Sequence, residues 1–178
     1  MKEVKLKNNQ IVTLRQPYKE DAKNMIDYLN EIGGESDFLT FGKNEFKVSL
    51  EAEQEYIEKN NIMENSIIII ATIDDNIAGI ASINSNQKER TKHNGTLGIS
   101  ILKKYWGIGL GSEMMDYIIN WAKENEITKR IELLVREDNY KAIALYEKFG
   151  FEREGLHKRD IYVDGIYYNT IIMALYIN

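Results

Sequence analysis

Cysteine is absent from the 178 residues of this chain, and this absence narrows the available chemistry most. Disulfide bonds, a thiolate nucleophile and zinc sites built on sulfur are all excluded. The two histidines, His93 and His157, lie far apart in the sequence, which argues against a metal site built on histidine. We therefore expect no bound metal.

Long apolar runs and an excess of positive charge are absent as well. The longest apolar run, residues 67–73, is far shorter than the ~20 residues that a membrane-spanning helix needs. Residues 1–7 contain no apolar stretch of signal-peptide type. The net charge of −5 argues against a protein that binds nucleic acid by neutralising phosphates. We expect a cytoplasmic protein with neither a membrane nor a nucleic acid as partner.

The composition that remains is that of a globular protein. Hydrophobic residues make up 43% of the chain and charged residues 29%, and no repeat or low-complexity linker interrupts it. Because the length is sufficient for one well-buried core, we expect a single domain over residues 1–178.

Residues 99–125 join an apolar strand, a glycine-rich turn and an amphipathic helix. Three glycines in the turn allow the backbone to approach a ligand closely. The helix that follows presents unpaired N–H groups and the positive end of its dipole, which suits a diphosphate. The turn consists of Trp106, Gly107, Ile108, Gly109, Leu110 and Gly111, and the buried helix face of Met114, Met115, Ile118, Ile119 and Ala122.

Three ligand types can be compared with this turn. A P-loop is excluded because no lysine precedes Ser112. A dinucleotide fingerprint fits poorly, since the spacing is Gly-x-Gly-x-Gly and the turn lies past the middle of the chain. A diphosphate loop of the coenzyme A type remains, and so does a turn that merely packs a helix on a sheet.

The remaining patterns predict an α/β (α+β) domain with a mixed sheet. Residues 20–32 form a predicted helix that ends at Gly33 and Gly34, and Ser49 is the expected N-cap of a helix over residues 50–60. Residues 35–41 are expected to form a loop. The predicted strands are 4–7, 11–15, 66–73, 77–83, 95–102, 130–135, 155–163 and 167–177, and a short helix over 140–149 stops at Gly150.

A second motif begins at Asn139 and continues through Ala142, Leu145 and Tyr146 to the sequence EKFGF at residues 147–151. Together with the glycine turn, it resembles the GNAT superfamily of acetyl-CoA-dependent N-acetyltransferases, in the branch of ribosomal-protein, amino-acid and polyamine N-acetyltransferases. The resemblance extends over nearly the whole chain. It implies a three-layer domain whose mostly antiparallel sheet splays at the cofactor strand. Trp106 is a departure, because many members have Gln or Arg there.

The resemblance also implies where acetyl-CoA binds. Main-chain groups of Ile101, Leu102 and Lys103 would hold the pantetheine arm. The diphosphate would lie over the turn and the helix start, a set that comprises Trp106, Gly107, Ile108, Gly109, Leu110, Gly111 and Ser112. Asn139 and Tyr146 would flank the thioester, with Tyr146 as the general acid that protonates the leaving thiolate.

The general base is less well defined. In related alanine acetyltransferases a carboxylate lies five residues before the asparagine, and Leu134 occupies that position here. Glu132 lies on the same strand face and either acts through a water or forms an ion pair. His93 is a second candidate base and a chain of water molecules a third, while Glu35 and Asp37 are candidates to bind a cationic amine.

Two functions follow from the resemblance. The first is an enzyme that transfers an acetyl group from acetyl-CoA to a primary amine of a small molecule or a protein N-terminus. The second is a non-catalytic acyl-CoA-binding or sensor module of the same fold. The sequence leaves open a homodimer formed through the final strands.

Overall fold

The computed structural model describes residues 1–178 and contains eight strands and four α-helices. Short 3₁₀ turns lie at Lys19–Asp21 and Lys103–Tyr105. The helices are α1 (Ala22–Glu35), α2 (Leu50–Asn61), α3 (Leu110–Glu124) and α4 (Tyr140–Lys148). The strands are β1 (Lys2–Lys5), β2 (Ile11–Arg15), β3 (Ile67–Ile73), β4 (Asn76–Ser85), β5 (Asn94–Ile101), β6 (Arg130–Arg136), β7 (Glu152–Val163) and β8 (Ile166–Tyr176).

One sheet connects all eight strands in the order β1-β2-β3-β4-β5-β6-β8-β7. Neighbouring strands are antiparallel except for β5 and β6, which are parallel. β5 pairs with β4 along its length, from Gly95 to Ile101, but it pairs with β6 only through Asn94, Gly95 and Thr96. The two strands therefore part beyond Thr96, which confirms the predicted mostly antiparallel sheet that splays at this strand.

The sheet has a helical layer on each face. The larger buried cluster lies between the sheet and the helices α3 and α4, and the smaller one lies under α1 and α2. Strand β3 contributes to both, because Ile67 and Ile69 belong to the first cluster whereas Ile68 and Ile70 belong to the second. The isoleucine run is thus buried on both faces, as predicted. None of the helices has the length and apolarity required to span a bilayer.

Several local sequence signals act as predicted. The Ser49 hydroxyl accepts a hydrogen bond from the amide of Ala52 at 3.2 Å and so caps α2. Gly150 follows α4 with a φ of +88°. Asp164 and Gly165 both have positive φ, which the tight turn between β7 and β8 requires.

The predicted end of α1 is wrong. The helix passes through Gly33 and Gly34 and ends at Glu35. A Cβ on Gly33 would lie only 2.5 Å from the carbonyl oxygen of Gly42, so this glycine allows the following segment to approach the helix. The first strand also differs from its prediction: it covers Lys2–Lys5, because Leu6 already donates to the carbonyl of Gln10 across the turn at 2.8 Å.

The two glycines of α1 should respond oppositely to alanine. Gly33→Ala should lower the free energy of unfolding by about 1–2 kcal/mol, because the overlap with a backbone oxygen outweighs the gain in helix propensity. Gly34→Ala should raise it by about 0.5 kcal/mol, since the nearest atoms, at 3.2–3.4 Å, belong to the flexible side chain of Lys43. Urea unfolding at 25 °C measures both, and effects of the same sign would contradict the assigned packing.

Candidate active site

The gap between β5 and β6 exposes main-chain groups that a continuous sheet would pair. The amide of Leu102 donates to the carbonyl of Ala78 on β4 at 3.1 Å. Main-chain groups of successive strand residues point to opposite sides, so Ile99 and Ile101 direct their N–H groups away from β4 and into the gap. The carbonyl of Ile101 also faces this side, where it accepts a hydrogen bond from the Trp106 indole at 2.6 Å.

The three residues predicted to hold pantetheine are therefore not equivalent. The amide of Leu102 is used within the sheet, and that of Lys103 donates to the Glu35 carboxylate at 2.9 Å. Of these three residues, Ile101 alone offers its N–H to the gap. Ile99 offers a second N–H, which the motif did not indicate, although the alternation of strand residues would have found it.

Each glycine of the turn has its own structural reason. Gly107 and Gly109 have φ values of +77° and +97°, in the left-handed region that other residues rarely adopt, and Gly109 is the N-cap of α3. Gly111 lies in a tight contact, because a Cβ there would be 3.2 Å from Leu145 and 3.4 Å from Ile101. The turn thus brings the start of α3, the end of β5 and α4 together.

Lysines from α4 and from the turn after β1 lie beside the glycine turn. Lys141 on α4 lies 5.7 Å from the centre of the Trp106 ring, and Lys148 donates to the Ser112 hydroxyl at 3.3 Å. The aliphatic part of Lys7 lies against Gly109, and the amide of Lys7 donates to the carbonyl of Ile108 at 3.1 Å. These cations and the unpaired amides of the first turn of α3 create an environment that favours an anion.

Tyr146 on α4 packs into the larger buried cluster. It is 7% exposed, and its ring centre lies 5.8 Å from that of Phe151. Burial raises the pKa of Tyr146 to about 12, so its hydroxyl keeps its proton at neutral pH and can serve as a proton donor. Asn139 begins the same helix, and its side-chain oxygen accepts from the amide of Ala142 at 3.3 Å.

The candidate bases occupy very different positions. Glu132 pairs with Thr96 at the last rung before the gap, and its carboxylate accepts a hydrogen bond from Arg130 at 2.7 Å. Leu134, on the same strand face, is 51% exposed. His93 lies before the other end of β5, about 20 Å from Ile99 along the strand. Of the two titratable candidates, Glu132 is therefore the one next to the gap.

Carboxylates from α1 lie beside the gap, on the face of the sheet that α1 covers. The Tyr28 hydroxyl forms a hydrogen bond with Ser100 on β5 at 3.0 Å. Glu31 and Glu35 are close enough to add to the burial that raises the pKa of Tyr28. No group of three or more His, Asp or Glu side chains is arranged to hold a metal ion.

A model of the acetyltransferase (GNAT) family matches residues 35–151, which include the glycine turn, the splayed strand and the motif that starts at Asn139. The chain belongs to this family. This finding confirms the predicted family, the fold and the enzyme class.

Individual relatives agree with this membership. The crystal structure of a GNAT-family acetyltransferase from Streptococcus pneumoniae is 31% identical, with a TM-score of 0.91 over 94% of this chain and 99% of that chain. The L-amino acid N-acetyltransferase AaaT of Escherichia coli is 34% identical over 110 residues, which are 60% of this chain and only 65% of AaaT. YncA from Salmonella typhimurium, whose structure holds acetyl-CoA, shares the fold with a TM-score of 0.81, at 14% identity over 94% of each chain.

The burial of Tyr146 predicts a measurable pH dependence of stability. A tyrosine ionises near pH 10 in the unfolded chain but near 12 here, so its contribution is fully present below pH 10 and is lost as the pH rises toward 12. The wild-type protein should lose about 1 kcal/mol more than Tyr146→Phe between pH 8 and pH 11. Urea unfolding at both pH values tests this, and identical losses in the two proteins would rule out the buried phenol.

Proposed function

We propose that this protein transfers the acetyl group of acetyl-CoA to a primary amine of a small molecule or a protein N-terminus, as a single domain over residues 1–178. The observation that carries the proposal is the parting of β5 and β6 beyond Thr96, directly before the glycine turn. It leaves an elongated set of free amides beside a helix start, which suits a linear ligand with amide groups and a diphosphate.

In this proposal, Ile99 and Ile101 donate their N–H groups to the pantetheine arm and the acetyl carbonyl. The amides at residues 108–111, at the start of α3, bind the diphosphate, whereas the amide of Ser112 already donates to the carbonyl of Gly109 at 3.1 Å. Lys7, Lys141 and Lys148 supply the positive charge that Trp106 does not. The family as a whole binds acetyl-CoA in this fold, as in the YncA complex.

The protein's own groups then account for the transfer. A β5 amide stabilises the negative charge that develops on the carbonyl oxygen as the amine nitrogen bonds to the acetyl carbon. Tyr146 donates its hydroxyl proton to the sulfur as the C–S bond breaks, and it recovers a proton from solvent. The proton lost by the amine passes to water, either directly or with Glu132 accepting it through an intervening water.

The acceptor side favours an amine that arrives as a cation. Glu31 and Glu35 lie near Tyr28 on the side of the gap that α1 covers. The two arginines of β6, Arg130 and Arg136, are already ion-paired. The resulting field attracts a protonated amine. An amino group is also what the AaaT relative acetylates, according to its name.

A second candidate function is an acyl-CoA-binding module without turnover. Two features favour it: an exposed leucine, Leu134, stands where the family resemblance implies a carboxylate, and Glu132 is already paired with Arg130. This module would bind the same ligand, so turnover alone distinguishes it from the enzyme.

Ligand class is tested first. Acetyl-CoA and CoA at one hundred times their Kd should stabilise the protein by about 2.7 kcal/mol, which thermal unfolding detects as a rise in Tm. NAD should produce no rise, because the glycine spacing does not fit a dinucleotide. An equal shift with NAD would contradict the assigned ligand.

Turnover is tested with Tyr146→Phe. This variant should lower kcat by about 10²-fold or more through loss of the proton donor, while the Kd of acetyl-CoA changes less than twofold. Release of CoA is measured with acetyl-CoA and a panel of spermidine, L-amino acids and a peptide with a free N-terminus. Tyr117→Phe, which removes a hydroxyl from α3 at the edge of the same core, is the matched control. An unchanged kcat in Tyr146→Phe would refute the proton-donor role, and a wild-type protein that binds acetyl-CoA without turnover would support the module.

A further inference from the structure

The last residue of α1 and the chain that follows it cross the open end of the gap. We call residues 35–41 the bridge segment. At its start, the Glu35 carboxylate accepts a hydrogen bond from the amide of Lys103, just beyond the end of β5. Two residues later, the carbonyl of Asp37 accepts from the guanidinium of Arg136, the last residue of β6, at 2.9 Å. Because two residues span at most ~7 Å, the bridge segment connects the diverging ends of the two strands.

Hydrogen bonds and aromatic contacts hold the Arg136 side chain in place. Its Nε and Nη2 atoms donate to the two carboxylate oxygens of Asp138 at 2.7 and 2.8 Å. The guanidinium lies 3.8 Å from the ring centre of Tyr168 on β8 and 4.5 Å from that of Phe38 in the bridge segment. The residue is only 7% exposed. These contacts fix both the plane and the direction of the guanidinium.

We propose that Arg136 is a positioning residue that fixes the bridge segment across the β5–β6 gap, so that the segment forms the wall against which the acceptor amine is held. This role rests on the proposed function, because it assumes that the acceptor enters from the α1 side of the gap.

The geometry explains why an arginine is needed here. The Nε and Nη2 atoms on one edge of the guanidinium bind Asp138, and the remaining Nη1 atom is thereby directed at the main chain of Asp37. Asp138 directly precedes Asn139, the N-cap of α4, so the same side chain also joins the bridge segment to the helix that carries Tyr146. Arg136 therefore holds both the wall for the acceptor and the helix that carries the proton donor.

The same contacts make a direct role in binding an acceptor carboxylate a poorer explanation. Arg136 already has a bidentate carboxylate partner, and the hydrogen bonds from Arg136 lower the pKa of Asp138, which keeps that partner charged. An incoming carboxylate would have to compete with an ion pair formed within the chain.

The experiment compares Arg136→Met with a closely matched control. Arg15 donates to both oxygens of Asp21 at 2.7 and 2.9 Å, lies over the ring of Tyr18 and donates to the carbonyl of Gln16, but it lies on β2, remote from the gap. Arg15→Met therefore removes a similar set of contacts, with one aromatic ring fewer, without touching the bridge segment. Phe38→Ala is a second, milder variant that loosens the segment and leaves the Arg136–Asp138 pair intact.

In Arg136→Met we expect the KM of the best acceptor among spermidine, L-amino acids and the peptide to rise at least tenfold. The KM of acetyl-CoA should change less than twofold. Hydrogen exchange of residues 36–41 should accelerate at least tenfold, while that of α3 stays unchanged. Phe38→Ala should move the same quantities in the same direction, Arg136→Lys should be intermediate, and Arg15→Met should move none of them.

An unchanged acceptor KM in both Arg136→Met and Phe38→Ala, or an equal rise in the KM of both substrates, would overturn the inference while leaving the proposed function in place. The same result in Arg15→Met would show a general loss of stability instead of positioning. A wild-type protein that binds acetyl-CoA but acetylates none of these amines would defeat the proposed function, and the acceptor-side role of Arg136 with it.

Discussion

The hydrogen bonds that β5 does not make with β6 determine the arrangement of the rest of the molecule. A strand in the middle of a sheet normally pairs on both sides, and unpaired main-chain groups are costly where water is excluded. Beyond Thr96, β5 keeps its partner β4 and loses β6. The free amides of Ile99 and Ile101 are compensated only by water or by a ligand that mimics a strand. An extended chain with its own amide groups satisfies this requirement best.

The elements around the gap each depend on close approach. The start of α3 can stand beside the end of β5 because Gly111 lacks a side chain, and Leu145 on α4 fills the space that remains. Trp106 covers the carbonyl of Ile101 and meets Lys141 on α4. A larger side chain at residue 111 would separate α4 from the strand and move Tyr146 with it. In the proposed mechanism the glycine turn therefore positions the proton donor as well as the diphosphate.

Local sequence patterns predicted what depends on local interactions. The cap at Ser49, the turn at Asp164 and the buried isoleucine strand all follow from residues within a few positions of one another. The end of α1 was mispredicted because Gly33 is required by the close approach of the Gly42 carbonyl and does not mark a helix terminus. The family motif indicated the site, but the bond from Lys103 to Glu35 joins residues 68 positions apart and leaves no periodic signal.

The charges around the gap have opposite effects on the two steps proposed for the amine, which are its binding as a cation and the loss of its proton. In the proposed reaction Glu31 and Glu35 would attract a protonated amine, yet the same negative field would oppose the loss of its proton. The amine must be neutral to attack the thioester. Glu132 is the carboxylate next to the gap, and it is ion-paired with Arg130, which also pairs with Glu154. In the proposed reaction this ion pair competes with proton uptake by Glu132, which favours transfer of the amine proton to water.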